Sequence, residues 1–290
     1  MLFRSLSNRR NFKESRSQNG GPNACTRSME RIADPTPTAC KVCEGPSPLY
    51  GVIDFHRSCI EAQGRRLPFS GYPIYYRQCE RCGFIFTDAF DAWTEASFQH
   101  NIYNEEYILV DPDFVDLRPG GNAKWVAQTF QASKGTLRVL DYGGGSGLLA
   151  QRLRDDGYQA ETYDPFSSFN RKPESLFDLI TCFEVMEHVP SPKTTVATMV
   201  SLLKPEGAIL FSTLLQPSAM ASMGLNWWYA APRNGHISLY TSAALAHLFN
   251  AHGLNVASFS ENLHFTYRQV PRFAAHLNLP HPSPPVASRS

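Results

Sequence analysis

Long apolar runs are missing from this sequence. None approaches the ~20 residues that cross a bilayer as a helix, so no membrane span is expected. The N-terminus has no apolar stretch of the kind that forms a secretory signal. One-signed charge is also missing, since the formal net charge of 290 residues is only +1. The whole chain therefore makes no electrostatic case for a polyanionic partner, and no nucleic-acid partner is expected. An even set of cysteines is missing too. There are seven, at 25, 40, 43, 59, 79, 82 and 182, and four fall in two C-x-x-C pairs. Without a secretion signal, that pattern suits metal binding better than a disulfide framework.

What is present divides into five stretches. Residues 1–36 read as a disordered basic tail, with seven Arg/Lys from Arg4 to Arg31 against Glu14 and Glu30 within residues 1–31. The alternatives for that tail are an organelle transit peptide and a true start at Met29. A cytoplasmic location is the expectation. Residues 37–90 hold both cysteine pairs and many Pro and Gly, as a small loop-rich module needing a staple does. Residues 91–135 read as a helical linker or cap, with a helix from Asn122 to Ala132. Residues 136–270 alternate short strands and helices, the pattern of a parallel sheet covered on both faces. Residues 271–290 are a Pro-rich disordered tail.

Strand 137–140 runs into Asp141-Tyr142-Gly143-Gly144-Gly145-Ser146-Gly147, followed by a helix from Leu148 to Asp156. Glycines permit a tight turn and close backbone approach to a ligand. The helix start adds free N–H groups. A dinucleotide fingerprint needs a third glycine where Leu148 stands, which disfavours a dehydrogenase. Asp141, ahead of the turn, suits a zwitterionic ligand better than a pyrophosphate. Asp164 closes the next strand, where a carboxylate can accept both hydroxyls of a ribose.

The runs V-L-D-Y-G-G-G-S-G, T-Y-D-P, F-D-L-I-T-C-F-E-V-M-E-H-V and L-K-P-E-G resemble, in family order, the class I S-adenosylmethionine (SAM)-dependent methyltransferases. The resemblance covers roughly residues 120–265. It implies a Rossmann-like α/β sheet, mostly parallel with an antiparallel last strand. It implies SAM as cofactor, with Asp141, Gly143, Gly144, Gly145 and Gly147 at its methionine part and Asp164 at its ribose. Pro165, Phe183 and Glu184 would line the same site. Family members place a helix, a strand and the adenine-contact loop between positions equivalent to Asp164 and Asp178. Only thirteen residues stand there, with Phe166 a guess for the adenine contact.

Cys40, Cys43, Cys79 and Cys82 offer the four thiolates of a closed structural Zn²⁺ site. The run from Tyr76 to Phe86 is similar to the N-terminal zinc segment of deoxysugar C-methyltransferases. Glu184-Val-Met-Glu187-His188 resembles ubiquinone-pathway O-methyltransferases, where these positions are associated with a divalent cation. Glu184, Glu187 and His188 are thus candidate Mg²⁺ ligands, or alternatively braces for a helix start. Trp227 to Ile237 combines aromatics, Arg233 and His236, as an apolar pocket with a few polar groups does. His236 is the first candidate for a catalytic base, with Tyr229 or Tyr240 assisting and His188 as the rival.

The expected activity is methyl transfer to oxygen or carbon of a small molecule, of sugar or secondary-metabolite type, by in-line displacement. A zinc-bearing nucleic-acid methyltransferase or binding module is the competing reading. Six basic against five acidic residues across 37–90 make a poor footprint for it. A domain that has lost its cofactor and only binds is the third reading.

Overall fold

The computed structural model describes residues 38–280, so the readings of residues 1–36 as a tail, transit peptide or extended start, and of 281–290 as a tail, lie outside the described residues. In chain order the described residues form β1 (Thr38–Ala39), β2 (Pro46–Ser47), β3 (Leu49–Asp54), β4 (Pro73–Gln78), β5 (Ile85–Phe86), α1 (Glu95–Asn101) and α2 (Leu117–Thr129). Next come β6 (Arg138–Tyr142), α3 (Leu148–Asp155), β7 (Gln159–Tyr163), β8 (Phe177–Cys182), α4 (Pro192–Leu202) and β9 (Leu203–Ser212). The last are α5 (Met220–Met223), β10 (Ser238–Leu239), α6 (Ser242–Asn250), β11 (Asn255–Ser258) and β12 (Leu263–Tyr267).

Six strands make the main sheet, in the order β11-β12-β9-β8-β6-β7. β6 is parallel to β7 and β8, and β8 is parallel to β9. β12 runs antiparallel to both β9 and β11. Side chains alternate between the faces, as a pleated strand requires. Leu179 and Leu210 join the layer with Val126 and Phe130 of the α2 end and Leu149 and Leu153 of α3. Ile180 and Phe211 join the opposite layer with Val196 and Met199 of α4 and Leu245 and Phe249 of α6. Both faces are thus helix-covered, which is why these strands read as continuous apolar runs.

The chain leaves β6 for β7 on one side and returns to β8 on the other. Strand order reverses there, and a crevice opens at the carboxyl ends of β6 and β8. The short stretch after Asp164 contains turns and bends but neither strand nor helix, so β7 is an edge of the sheet.

Four features differ from the sequence-based expectations. Residues 271–280, expected as part of a disordered tail, hold a 3-10 helical turn from Arg272 to Leu277, with Ala274 and Leu279 buried. Helix α2 starts at Leu117 rather than Asn122, because Pro119 lies in its first turn, where N–H groups have no intrahelical partner. Strand β9 starts at Leu203, ahead of the Lys204-Pro205-Glu206-Gly207 stop, and a register shift opposite Phe177–Leu179 absorbs the irregularity. The cysteine-bearing stretch builds a four-stranded sheet, β10-β5-β4-β3, whose outermost strand β10 comes from beyond β9. Ser238 and Leu239 pair with Phe86 and Ile85, so this sheet is shared between distant parts of the chain.

Thr241 ties the same parts together. Its hydroxyl donates to the Cys82 carbonyl at 2.6 Å and accepts from the Ala244 N–H at 3.0 Å, capping α6. Thr241→Ala is expected to cost about 1–2 kcal/mol, the usual worth of an N-cap. Urea unfolding should stay a single transition at a lower midpoint. Separate transitions for the cysteine-bearing sheet and the main sheet would contradict this coupling.

Candidate active site

Strand β6 carries Asp141 into the interior, where only 3% of it is exposed. Its Oδ1 accepts from the Thr181 hydroxyl at 3.1 Å, while its buried Oδ2 has no partner. Burial pushes this carboxyl up to about 7, and the nearby Asp164 charge adds to the effect. The turn that follows passes close to its surroundings. A Cβ on Gly144 would lie 2.1 Å from Asp141 Oδ2, and one on Gly143 would lie 2.4 Å from Val185. Gly143 also has φ +72°, the left-handed region. Asp164, at the end of β7, fixes the turn from the other side. Its Oδ2 accepts from Gly145 N–H and its Oδ1 from Phe166 N–H, both at 2.8 Å.

Beyond β8, Glu184 has φ +55°, an uncommon state for a residue with a side chain. Ser212 holds it there by accepting from its N–H at 2.8 Å and donating to its Oε1 at 2.7 Å. Burial raises the Glu184 carboxyl to about 7, with Glu187 contributing. Glu187 is buried; its Oε1 accepts from the Tyr229 hydroxyl at 2.6 Å, and its Oε2 has no partner. Burial raises its carboxyl as well. His188 is driven down to about 4 by burial, against the opposing pull of Asp111. It is therefore neutral at pH 7.

These elements surround a cavity of about 750 Å³. Asp141, Gly143, Gly144, Gly145, Asp164 and Pro165 line one part of it, with Phe166 beside them. Phe183, Glu184 and His188 line the wall after β8. Gly147 lies outside the lining, and a Cβ there would meet the Phe169 ring at 2.9 Å. His236 and Tyr229 do not line the cavity either. Their rings pack behind His188: the His188 and His236 rings meet edge to face with centroids 4.9 Å apart, and those of His236 and Tyr229 are tilted at 4.2 Å. His236 Nδ1 donates to the Tyr229 carbonyl at 2.9 Å. Packing of Ile237 and Leu239 in the shared sheet draws this segment inward, so His188 is the imidazole at the wall.

The opposite wall escaped the sequence reading. Tyr103, Tyr107, Asp111, Phe114 and Arg118 all come from the stretch taken as a linker or cap. Arg118 donates to both oxygens of Asp111, at 3.1 and 2.7 Å. Its Nη1 is 3.8 Å from Glu184 Oε2. The available signal was the recurrence of aromatics from Trp93 to Phe114 in a stretch with weak helical periodicity.

The expected Glu184–Glu187–His188 cation set does not converge. Glu187, His188 and His236 offer ligand atoms within 4.8 Å of one another, whereas Glu184 turns to Ser212 and Arg118. The four cysteines do converge. Cys40, Cys43, Cys79 and Cys82 place their sulfurs within 4.8 Å of one another. Cys40–Cys82 is 3.7 Å and Cys43–Cys79 is 3.4 Å. A tetrahedral ion with Zn–S of about 2.3 Å sets its sulfurs about 3.8 Å apart. Both pairs sit on matching turns, with Glu44 N–H donating to the Cys40 carbonyl and Gly83 N–H to the Cys79 carbonyl.

The family model described as a methyltransferase domain matches residues 114–258, half of the chain. A ubiquinone biosynthesis O-methyltransferase of Burkholderia thailandensis is 27% identical over 150 residues, covering 41% of this chain and 65% of the relative. The corresponding enzyme of Yersinia enterocolitica is 29% identical over 102 residues, covering 27% and 42%. The matches thus span about half the length of these curated relatives. Among solved structures, an O-methyltransferase family protein from Burkholderia thailandensis is similar, with a TM-score of 0.44 and 16% identity, over 62% of this chain and 64% of that one. Magnesium protoporphyrin IX methyltransferase from Synechocystis is similar with a TM-score of 0.39 and 14% identity, over 52% and 82%. At such scores the structural likeness adds no weight of its own. The match across half the sequence, on a chain whose sheet reverses order beside a glycine turn, decides the matter: this protein belongs to the class I SAM-dependent methyltransferase family.

Proposed function

We propose that this protein transfers a methyl group from SAM to a hydroxyl oxygen of a small molecule. One observation carries the reading. A single cavity has the glycine turn and Asp164 on one side and His188 with an aromatic wall on the other. Donor and acceptor can therefore meet without crossing water.

The residues fit the cofactor. Asp141 Oδ2 is a buried oxygen with no partner, suited to an ammonium group. A Cβ on Gly143 would strike Val185 and one on Gly144 would strike Asp141, so glycine keeps this turn close-packed against β6 and the wall after β8. The Asp164 oxygens each accept one backbone N–H and keep lone pairs for a ribose diol. Pro165 and Phe166 offer an apolar surface beside it. When bound, SAM supplies an electrophilic methyl group on a sulfonium.

The chain's own part is alignment and proton removal. His188 is neutral at working pH and so holds a free lone pair. In this reading it takes the acceptor's hydroxyl proton as the oxygen gains the methyl group. Positive charge then passes from sulfur to imidazole, and the nearby Asp111 favours the imidazolium. His236 and Tyr229 brace the ring from behind. Tyr103 and Phe114 offer ring faces against which an apolar acceptor can be oriented. The Cys40, Cys43, Cys79 and Cys82 cluster holds a structural Zn²⁺ in the same proposal. It supports the shared sheet and α6 rather than the chemistry, since Thr241 reaches from the α6 cap to Cys82.

Three results test this account. Calorimetry with S-adenosylhomocysteine (SAH) should show saturable binding, weakened about 30-fold or more in Asp164→Ala, the worth of charge-assisted hydrogen bonds. Its ammonium prefers an ionised Asp141, so affinity should rise from pH 6 to 8 as that carboxyl loses its proton near 7, and Asp141→Asn should flatten the rise. Absence of SAH binding to folded protein would overturn the proposal. His188→Ala should lower kcat by about 10²–10⁴ at unchanged SAH affinity, with a smaller loss in His236→Ala. Full turnover in His188→Ala would remove it from the mechanism. Elemental analysis should find one zinc per chain, lost in Cys82→Ser together with thermal stability; a metal-free protein of equal stability would refute the zinc site.

A further inference from the structure

The charges around the cavity are unbalanced. Among the described residues, four carboxyl groups line it, on Asp111, Asp141, Asp164 and Glu184, and Arg118 is the sole lining Lys or Arg. The imbalance concentrates at Glu184. Asp164 has both oxygens engaged by backbone N–H groups. Asp141 sits on the glycine-turn side. Arg118 is already committed to Asp111 through both terminal nitrogens. Its 3.8 Å approach to Glu184 Oε2 is too long for a hydrogen bond. Ser212 takes only Oε1. Glu184 therefore keeps one oxygen on the cavity wall without a hydrogen-bonded cation, in a left-handed backbone conformation held by Ser212. Behind it, buried Glu187 adds further negative charge, and its hydrogen-bond partner is the neutral Tyr229 hydroxyl.

Aromatic rings form part of the remaining wall. Tyr103 and Tyr107 meet edge to face with centroids 5.2 Å apart, and Tyr107 meets Phe114 at 5.1 Å. Aromatic faces in the same cavity as a carboxylate whose free oxygen has only a long ion pair favour a cation with an apolar body over an anion.

We infer that the methyl acceptor is an aromatic or apolar molecule bearing a basic amine, with its ammonium group received at Glu184 Oε2. This deepens the proposed methyltransferase reading and rests on it. Burial, with Glu187 nearby, raises the Glu184 carboxyl to about 7 against the pull of Arg118, and a bound ammonium would favour its ionised form. An acceptor carrying carboxylate or phosphate would enter a cavity lined by four carboxyl groups, with one guanidinium already engaged by Asp111. The sulfonium of SAM is the competing cation for Glu184, and the test separates the two.

Three matched phenols serve as probes on the full-length protein saturated with SAH: tyramine, N-acetyltyramine and 3-(4-hydroxyphenyl)propionate. They share one ring and differ in charge. Calorimetry should show tyramine binding about tenfold more tightly than N-acetyltyramine, the propionate weakest, and the preference shrinking to about twofold in Glu184→Gln. Equal or tighter binding of the propionate would overturn the inference. So would a preference unchanged in Glu184→Gln, or no saturable tyramine binding. If Glu184→Gln weakens SAM but not SAH and leaves the tyramine preference intact, the carboxylate serves the sulfonium and the inference falls. Failure of the cofactor reading itself would show separately, as wild-type protein that binds no SAH.

Discussion

The Asp164 carboxylate is the point on which the site depends. One oxygen holds Gly145 in the glycine turn and the other holds Phe166 in the following loop. The turn ends β6 and the loop follows β7, so one side chain joins two strand ends across the crevice. Short charge-assisted bonds from backbone N–H groups suit this task, because they fix position without a metal or disulfide. The absence of strand or helix between Asp164 and β8 makes the constraint matter more. The loop has no sheet neighbour to define it, and Asp164 supplies the definition from within.

A second constraint is the sharing of the smaller sheet. Two residues, Ser238 and Leu239, complete a sheet begun nearly two hundred positions earlier. The same segment carries Ile237, whose N–H donates to the Glu187 carbonyl at 2.9 Å, and Tyr240, whose hydroxyl donates to the Met186 carbonyl at 2.9 Å. The Met186–His188 turn is therefore tied to the cysteine-bearing sheet. Order at the four sulfurs and order at His188 are physically linked, although the two sites have separate chemistry.

Much of this was legible in the sequence. Glycine spacing, the aspartates closing β6 and β7, and the apolar runs of β8 and β9 carry strong local signals. Each needs only its own neighbours to be read. The cysteine pairs were legible for the same reason. The far wall of the cavity was not. Asp111 and Arg118 sit where Pro112, Pro119 and Gly120-Gly121 obscure the helical period, and nothing local to them points at Glu184. The choice between His188 and His236 was also beyond local signals. His236 stands in the richer aromatic context, but that context is a packed layer behind the wall. Only the pairing of β10 with β5 fixes which ring faces the cavity, and a two-residue strand has no periodicity to announce it.

The central claim is that donor and acceptor share one cavity, with His188 at their meeting point. A crystal structure of the protein with SAH tests this most directly. The account predicts the amino-acid end against Gly143–Gly145, the ribose on Asp164, and the sulfur facing the space beside His188 and Tyr103. SAH bound elsewhere, or with its sulfur turned away from His188, would contradict it.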